Sequence, residues 1–295
     1  MKSNIIKITP DTSICDSLTK LKKHMHNELH IMPGVYHEKI KTKANNLKIV
    51  GIGKKEDIII EYDDYSKKLH EDGLEYNTFR TYTLMVIGKN IEIENITIKN
   101  ASPVGKDYGQ QVALHLIGDN ITLNNVRLLS HQDTLFLGPL PKDLAKRYEG
   151  FLDDDERIIP LRRRIYINDS YIEGDIDFVF GSANAYFNNT EFHSLERPGY
   201  VFAPSTYKNN LGFIVNNSIF TGESKTPNAY LARPWREYAR VEILNSKYEN
   251  HIYDEGFSIW DGTNRHKTST FYEKNSSYID SHKPKRSDWL FNKWK

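Results

Sequence analysis

The segment IYINDSYIEGDIDFVFGSANAYFNNTEF, residues 165–192, holds one eight-residue template twice, 20 residues apart. The template is apolar, any, apolar, any, Asn or Asp, two of any type, apolar. Its copies here are IYINDSYI from Ile165 and AYFNNTEF from Ala185. Outward in both directions the pattern continues. IEIENITI from Ile91 and ITLNNVRL from Ile121 precede it; FIVNNSIF from Phe213 and VEILNSKY from Val241 follow. The fifth position is Asn95, Asn125, Asp169, Asn189, Asn217 and Asn245 in turn, and the starts lie 30, 44, 20, 28 and 28 residues apart. A degenerate copy occupies Leu47–Ile52 and Ile58–Tyr62.

Each copy reads as a short alternating strand, a polar corner and a second short strand. A unit of this size cannot bury its own apolar face, so recurrence implies stacking into a solenoid. Alternation with period two, and few helical stretches, make it all-β: a right-handed parallel β-helix. Asn at the corner has a local cause, since it tolerates the left-handed conformation and can bond its own backbone. Stacked corners would then form ladders of side-chain amides. A β-sandwich of regular hairpins is the competing architecture, but Asp72-Gly73 and Asp261-Gly262 fall outside the repeat. Sequons at Asn95, Asn168, Asn188 and Asn216 are by-products of the template.

The ends need covering, because a solenoid exposes its terminal rungs. Ile14, Leu18, Leu21 and Met25 fall at helical spacing behind Asp11 or Ser13, which predicts a capping helix over 13–25. Ser287-Asp288-Trp289 opens a C-terminal aromatic segment that ends at Trp294. Residues 138–163 interrupt the repeat and read as a protruding loop of mixed charge. No linker divides the chain, so the expectation is a single β-helix domain over 1–295.

Composition narrows the partners. With 40 Lys+Arg against 39 Asp+Glu, net charge is +1, which gives no bulk attraction for nucleic acid or a membrane surface. No apolar run approaches the ~20 residues of a membrane span. The start, MKSNIIKITPDTS, lacks the pattern of a secretory signal, and Cys15 has no intrachain partner. These features predict a cytoplasmic, monomeric protein; a secreted one whose signal has been removed would read alike. Cys15 is expected as a filler on the capping helix rather than a nucleophile.

Two carboxylates share one phase. Asp133 lies twelve residues after Ile121, and Asp177 twelve after Ile165. Equal phase means stacking on adjacent rungs, about 4.8 Å apart. Like charges this close cannot both ionise cheaply, so one becomes a protonated acid and the other a nucleophile or base. A ladder pair sharing a proton or a cation is the plainer alternative. Arg233 lies eight residues before Val241, as Asp177 lies eight before Ala185, which predicts one face two rungs apart and a bidentate partner for Asp177. Gln110 and Gln132 supply neutral donors of the kind a developing oxyanion requires.

These residues resemble the pectin methylesterases of the right-handed β-helix type. The matching segments are GVYHE (34–38), GQQVAL (109–114), QDTL (132–135), DFVFG (177–181), LARPW (231–235) and EGFSIW (255–260). The resemblance implies Asp177 as nucleophile and Asp133 as general acid and then base. It implies Gln110 and Gln132 as oxyanion donors, Arg233 as the residue orienting the nucleophile, and Trp235 as a stacking aromatic. Phe136, Phe180 and Trp235 are expected to line the cleft. Departures are Ala232, Gln111, His131 and Phe257, none of which removes a reacting group.

The implied substrate is methyl-esterified pectin or oligogalacturonate, with methanol released and no metal or cofactor required. A glycoside hydrolase on the same fold would also use paired carboxylates. A calcium-dependent lyase would need a carboxylate cluster and a basic residue. A non-catalytic solenoid would be expected to lack Asp133, Asp177 or Arg233.

Overall fold

The computed structural model of the protein describes residues 3–158 and 162–291. The chain winds as a right-handed parallel β-helix. Each full rung contributes a strand to each of three faces, and every interstrand ladder between named strands is parallel. The first face runs from Ser3–Ile8 through His26–Ile31, Leu47–Gly51, Leu84–Glu94, Leu114–Asn124, Arg164–Asn168, Asn184–Asn188, Phe213–Asn216 and Arg240–Leu244 to Thr270–Lys274. The second face includes Arg127–Leu129, Tyr171–Gly174, Glu191–Ser194 and Ile219–Gly222. The third carries Leu135–Leu137, Val179–Gly181, Gly199–Pro204 and Ala229–Ala232, continuing back through the first half of Leu114–Asn124.

The template positions stack in register. Leu47, Ile91, Ile121, Ile165, Ala185, Phe213 and Val241 pair in succession, so intervals of 44 and 20 residues both amount to one rung. Alternate residues face inward, as in Arg164–Asn168, where Ile165 and Ile167 are fully buried. Inside, phenylalanines fill the later rungs: Phe192 lies 5.0 Å from Phe202 and stacks on Phe220 at 5.1 Å. All six template corners have φ between 50° and 54°. Amide bonds join neighbouring rungs, Asn125 donating to Asn95 at 2.9 Å and Asn189 to Asp169 at 2.5 Å.

The repeat runs further than the template traced it. Asn275 is another left-handed corner, after strand Thr270–Lys274. Glu273 breaks the apolar pattern there because it accepts from Arg286 and from the Tyr248 hydroxyl. Two further strands, Ser3–Ile8 and His26–Ile31, lie ahead of the degenerate copy.

The ends differ from expectation. The N-terminal helix covers only Ile14–Leu18, capped by Ser13, and residues 19–25 turn instead. Helical spacing reached to Met25, but Asn27 bonds the Lys22 backbone and ties the chain back into strand His26–Ile31. Glu38 accepts from the Ser13 hydroxyl and the Ile14 and Cys15 amides, which accounts for the acid of GVYHE. Cys15 is half-buried on that helix. At the far end a short helix, Asp288–Phe291, packs Trp289 and Leu290 on the core; Trp294 lies outside the described residues.

Residues 138–158 are not a simple protrusion. The helix Lys142–Arg147 and two short turns lay Leu140, Leu144 and Leu152 onto an outer apolar cluster with Phe79, Met85, Ile87, Phe136 and Phe180. Lys41 pairs with Asp153 and Glu156, Lys43 with Asp155, and Arg236 with Asp143 at 2.8 Å. Apart from Glu156, which is buried, the charged letters of this stretch face outward and hide its apolar underside.

If the phenylalanine stack carries the later rungs, Phe192→Ala should cost about 3–5 kcal/mol. Urea denaturation checks this, with the midpoint falling and the slope unchanged.

Candidate active site

Strands Leu135–Leu137 and Val179–Gly181 pair Leu135 with Val179, which sets Asp133 level with Asp177 on adjacent rungs of the third face. Both aspartates have left-handed backbone, φ 65° and 52°. That conformation costs an L-residue about 1–2 kcal/mol, least for Asn and Asp, whose short side chains bond locally. It turns each carboxyl toward the outside while the residues beyond, Leu135 and Val179, enter the core. The glycine ending DFVFG also has a steric reason, since a Cβ on Gly181 would stand 2.2 Å from the Leu137 carbonyl.

Arg233 grips Asp177 with both arms, Nε to Oδ1 at 2.8 Å and Nη2 to Oδ2 at 2.6 Å. The phase count behind this pairing needs correcting. Phe180 is level with Ala203, and Ala203 with Arg233, so Arg233 stands three positions along from Asp177. It is two rungs away, and the long guanidinium covers the offset.

Both aspartates are buried, each residue 8% exposed. Burial pushes the Asp133 carboxyl well above its ordinary range, and the neighbouring Asp177 charge adds to this. Burial also raises Asp177, but the Arg233 hydrogen bonds and charge oppose it. Of the two, Asp133 is therefore pushed toward its protonated form with less to oppose it, while the bonds from Arg233 favour the ionised form of Asp177.

The dyad opens on a cavity of about 240 Å³, walled by Gln110, Gln132, Phe180, Trp235, Trp260 and Tyr148 among others. A bond from the Gln111 amide to the Gln132 carbonyl at 2.9 Å holds the two glutamine segments side by side. Trp235 meets Phe180 edge-on at 5.8 Å. Phe136 does not line the cleft. Strand alternation turns it outward between Leu135 and Leu137, but the 138–158 excursion covers it, leaving it 1% exposed against Phe79, His115 and Phe180. It supports the floor from beneath.

Three of the four departures from the family motifs are buried away from the surface. Ala232 and Phe257 are core residues, and Gln111 is buried with its amide on the Pro103 carbonyl. His131 is half-buried, its Nδ1 4.0 Å from Asp175, a third buried carboxylate paired with Arg197 at 2.8 Å. Sequence reasoning missed Thr78, Phe79, Arg147, Tyr148 and Trp260 as cleft residues. Trp260 had a signal, since it ends EGFSIW; Arg147 and Tyr148 sit among charges that read as solvated loop. Among the described residues, no group of three or more His, Cys, Asp or Glu side chains converges to hold a metal ion.

A family model described as Pectinesterase matches residues 10–139 and 152–294. The chain belongs to the pectinesterase family. The unmatched interval falls inside the excursion over Phe136. Among curated relatives, Pectinesterase 31 of Arabidopsis thaliana is 26% identical over 83% of this chain and 71% of its own length. Pectinesterase B of Dickeya dadantii (strain 3937) is 36% identical over 57% of this chain. The chain spans less than two thirds of several such pectinesterases, 39% of Pectinesterase B for example. In solved structures the fold is similar to pectin methylesterase from carrot, with TM-score 0.79 at 21% identity, covering 97% of this chain and 86% of that one. A pectin methylesterase solved in complex with a hexasaccharide aligns with TM-score 0.74 at 23% identity over 97% of this chain and 92% of its own.

A buried acid whose proton affinity is raised on folding weakens the native state as pH climbs above the ordinary carboxylate range, where only the unfolded chain releases the proton. Asp133→Asn removes this penalty and keeps the left-handed corner. Its thermal midpoint should exceed that of the unsubstituted protein at pH 7, and the gain should shrink toward pH 4.

Proposed function

We propose that this chain hydrolyses methyl esters of galacturonate units in pectin or oligogalacturonates. The observation that carries the reading is the bidentate Arg233–Asp177 pair, one rung from the buried Asp133 in a cleft that also holds Gln110 and Gln132. An ionised, oriented carboxylate beside a neutral acid suits acyl transfer, because attack and protonation fall to different groups.

In this mechanism Asp177 attacks the C6 carbonyl carbon, and charge develops on the carbonyl oxygen. The Gln110 and Gln132 amides donate to that oxyanion. Collapse breaks the ester C–O bond, Asp133 gives its proton to the departing methoxide, and methanol leaves an anhydride on Asp177. Asp133, now ionised, takes a proton from water as it attacks the anhydride. The acid product departs, Asp177 is freed, and Asp133 is protonated again. Arg233 keeps the attacking oxygens in one orientation throughout. Trp235 offers an aromatic surface to the apolar face of a sugar, and Phe180 forms the floor. The hexasaccharide held by a pectin methylesterase of similar fold supports a saccharide ligand for this cleft.

Methanol release from highly methyl-esterified pectin tests the reading, with Asp177→Ala expected to lose roughly 10⁴-fold or more in kcat. Uronide double bonds would point to a lyase and new reducing ends to a hydrolase. Methanol no higher than with Asp177→Ala would refute the esterase. Gln110→Leu and Gln132→Leu should each lower kcat about 10²–10³-fold with little change in KM. The pH–rate profile should be bell-shaped, rising as Asp177 ionises and falling as Asp133 loses its proton.

A further inference from the structure

The column of side chains that begins with Asp133 and Asp177 does not stop there. Val179 pairs with Phe202, so Tyr200 is level with Asp177 on the next rung. Tyr200 pairs in turn with Tyr230. Backbone bonds fix this strand beside the dyad: the Tyr200 amide donates to the Asp175 carbonyl at 2.9 Å. Arg233 belongs to the rung of Tyr230, so its side chain must cross Tyr200 to reach Asp177. Its Cζ lies 3.8 Å from the Tyr200 ring centroid, and Trp260 stands 4.3 Å from the same carbon. Tyr200 is itself braced, stacked on Tyr230 at 5.6 Å and 14°, with Tyr253 4.5 Å beyond.

We propose that Tyr200 is a positioning residue for the esterase reaction, its ring serving as the platform that holds the Arg233 guanidinium flat and aimed at Asp177. Two aromatic faces attract the cation and displace water from it, which leaves its in-plane N–H groups free for the carboxylate. Among the described residues the Tyr200 hydroxyl bonds no protein group, so the ring carries the contact with Arg233. Trp260 flanks the same guanidinium but also lines the cleft, so it acts on substrate as well. The charged groups around Asp177 are Asp133 on the preceding rung, Arg233 two rungs on, Asp175 beside it, itself paired with Arg197, and Arg147, which lines the same cavity. Of these, Arg233 alone bonds the Asp177 carboxylate, so losing its aim makes Asp177 harder to ionise.

The inference rests on Asp177 as nucleophile, and Tyr200→Leu tests it with Tyr200→Phe as the conservative variant. Tyr200→Leu should lower kcat roughly tenfold, the scale of a desolvated cation–π contact, with KM within about twofold. Its kcat/KM profile should have the acidic limb displaced to higher pH, and Tyr200→Phe should restore both. Trp260→Leu should move the acidic limb the same way while also raising KM, which keeps the test open if Tyr200→Leu melts early. A Tyr200→Leu enzyme with unchanged kcat and acidic limb would overturn the inference, as would a Phe variant as impaired as the Leu one. If Asp177→Ala itself retains methanol release, the proposed function fails first. If Asp177→Ala is inactive and Tyr200→Leu is unaffected, only the platform fails.

Discussion

Parallel backbone hydrogen bonding decides which side chains in this protein become neighbours. Once Leu135 pairs with Val179, two aspartates far apart in sequence must stand one strand spacing apart, whatever their charges prefer. The same ladder places Tyr200 beyond them and Tyr230 beyond that. A stack of rungs is therefore a device for enforcing proximity, and it works equally on amides, rings and acids. Amide ladders at the corners and phenylalanines inside gain from being forced together. The acid pair is strained by it, and that strain separates their proton affinities.

The surroundings of the pair share the work. Burial alone would keep both carboxyls neutral, and Arg233 alone would ionise whichever it touched. Arg233 bonds Asp177 and not Asp133, through Nε and Nη2, so it favours the ionised form of Asp177 more strongly and sets two otherwise similar acids apart. The 138–158 excursion contributes from the other side. It closes the outer face over Phe136 and delivers Arg147 and Tyr148 to the cleft wall, while lysines on strand Ile40–Lys43 and Arg236 beside the LARPW segment hold it down.

Much of this was legible in the sequence because its signals were periodic. Corner asparagines mark the rungs, and residues counted from them predicted the Asp133–Asp177 stack. Counting failed where loops intervene: Arg233 reaches its partner from an offset register, which only its length allows. Alternation told which side of a strand Phe136 takes but not what lies outside that side, since Leu140 and Leu144 are dispersed among charges. The corner at Asn275 escaped because Glu273 replaces an apolar residue to serve Arg286. Tyr200 gave no signal of its own, being one tyrosine among 18. Its place becomes visible only when its strand is set beside that of Asp177.

The left-handed backbone at both aspartates also limits what evolution can place there. Glycine, asparagine and aspartate fit such a corner readily, while glutamate or a β-branched residue does not. An alternative acid is thus excluded by the shape of the chain before chemistry is considered. Asparagine, though, is a single-nucleotide change from aspartate and leaves the corner, the rungs and the aromatic walls as they are. Under the proposed mechanism, a single such substitution would leave a solenoid with an intact cleft and no reaction. Reaction and ligand recognition would then part company without the fold being disturbed.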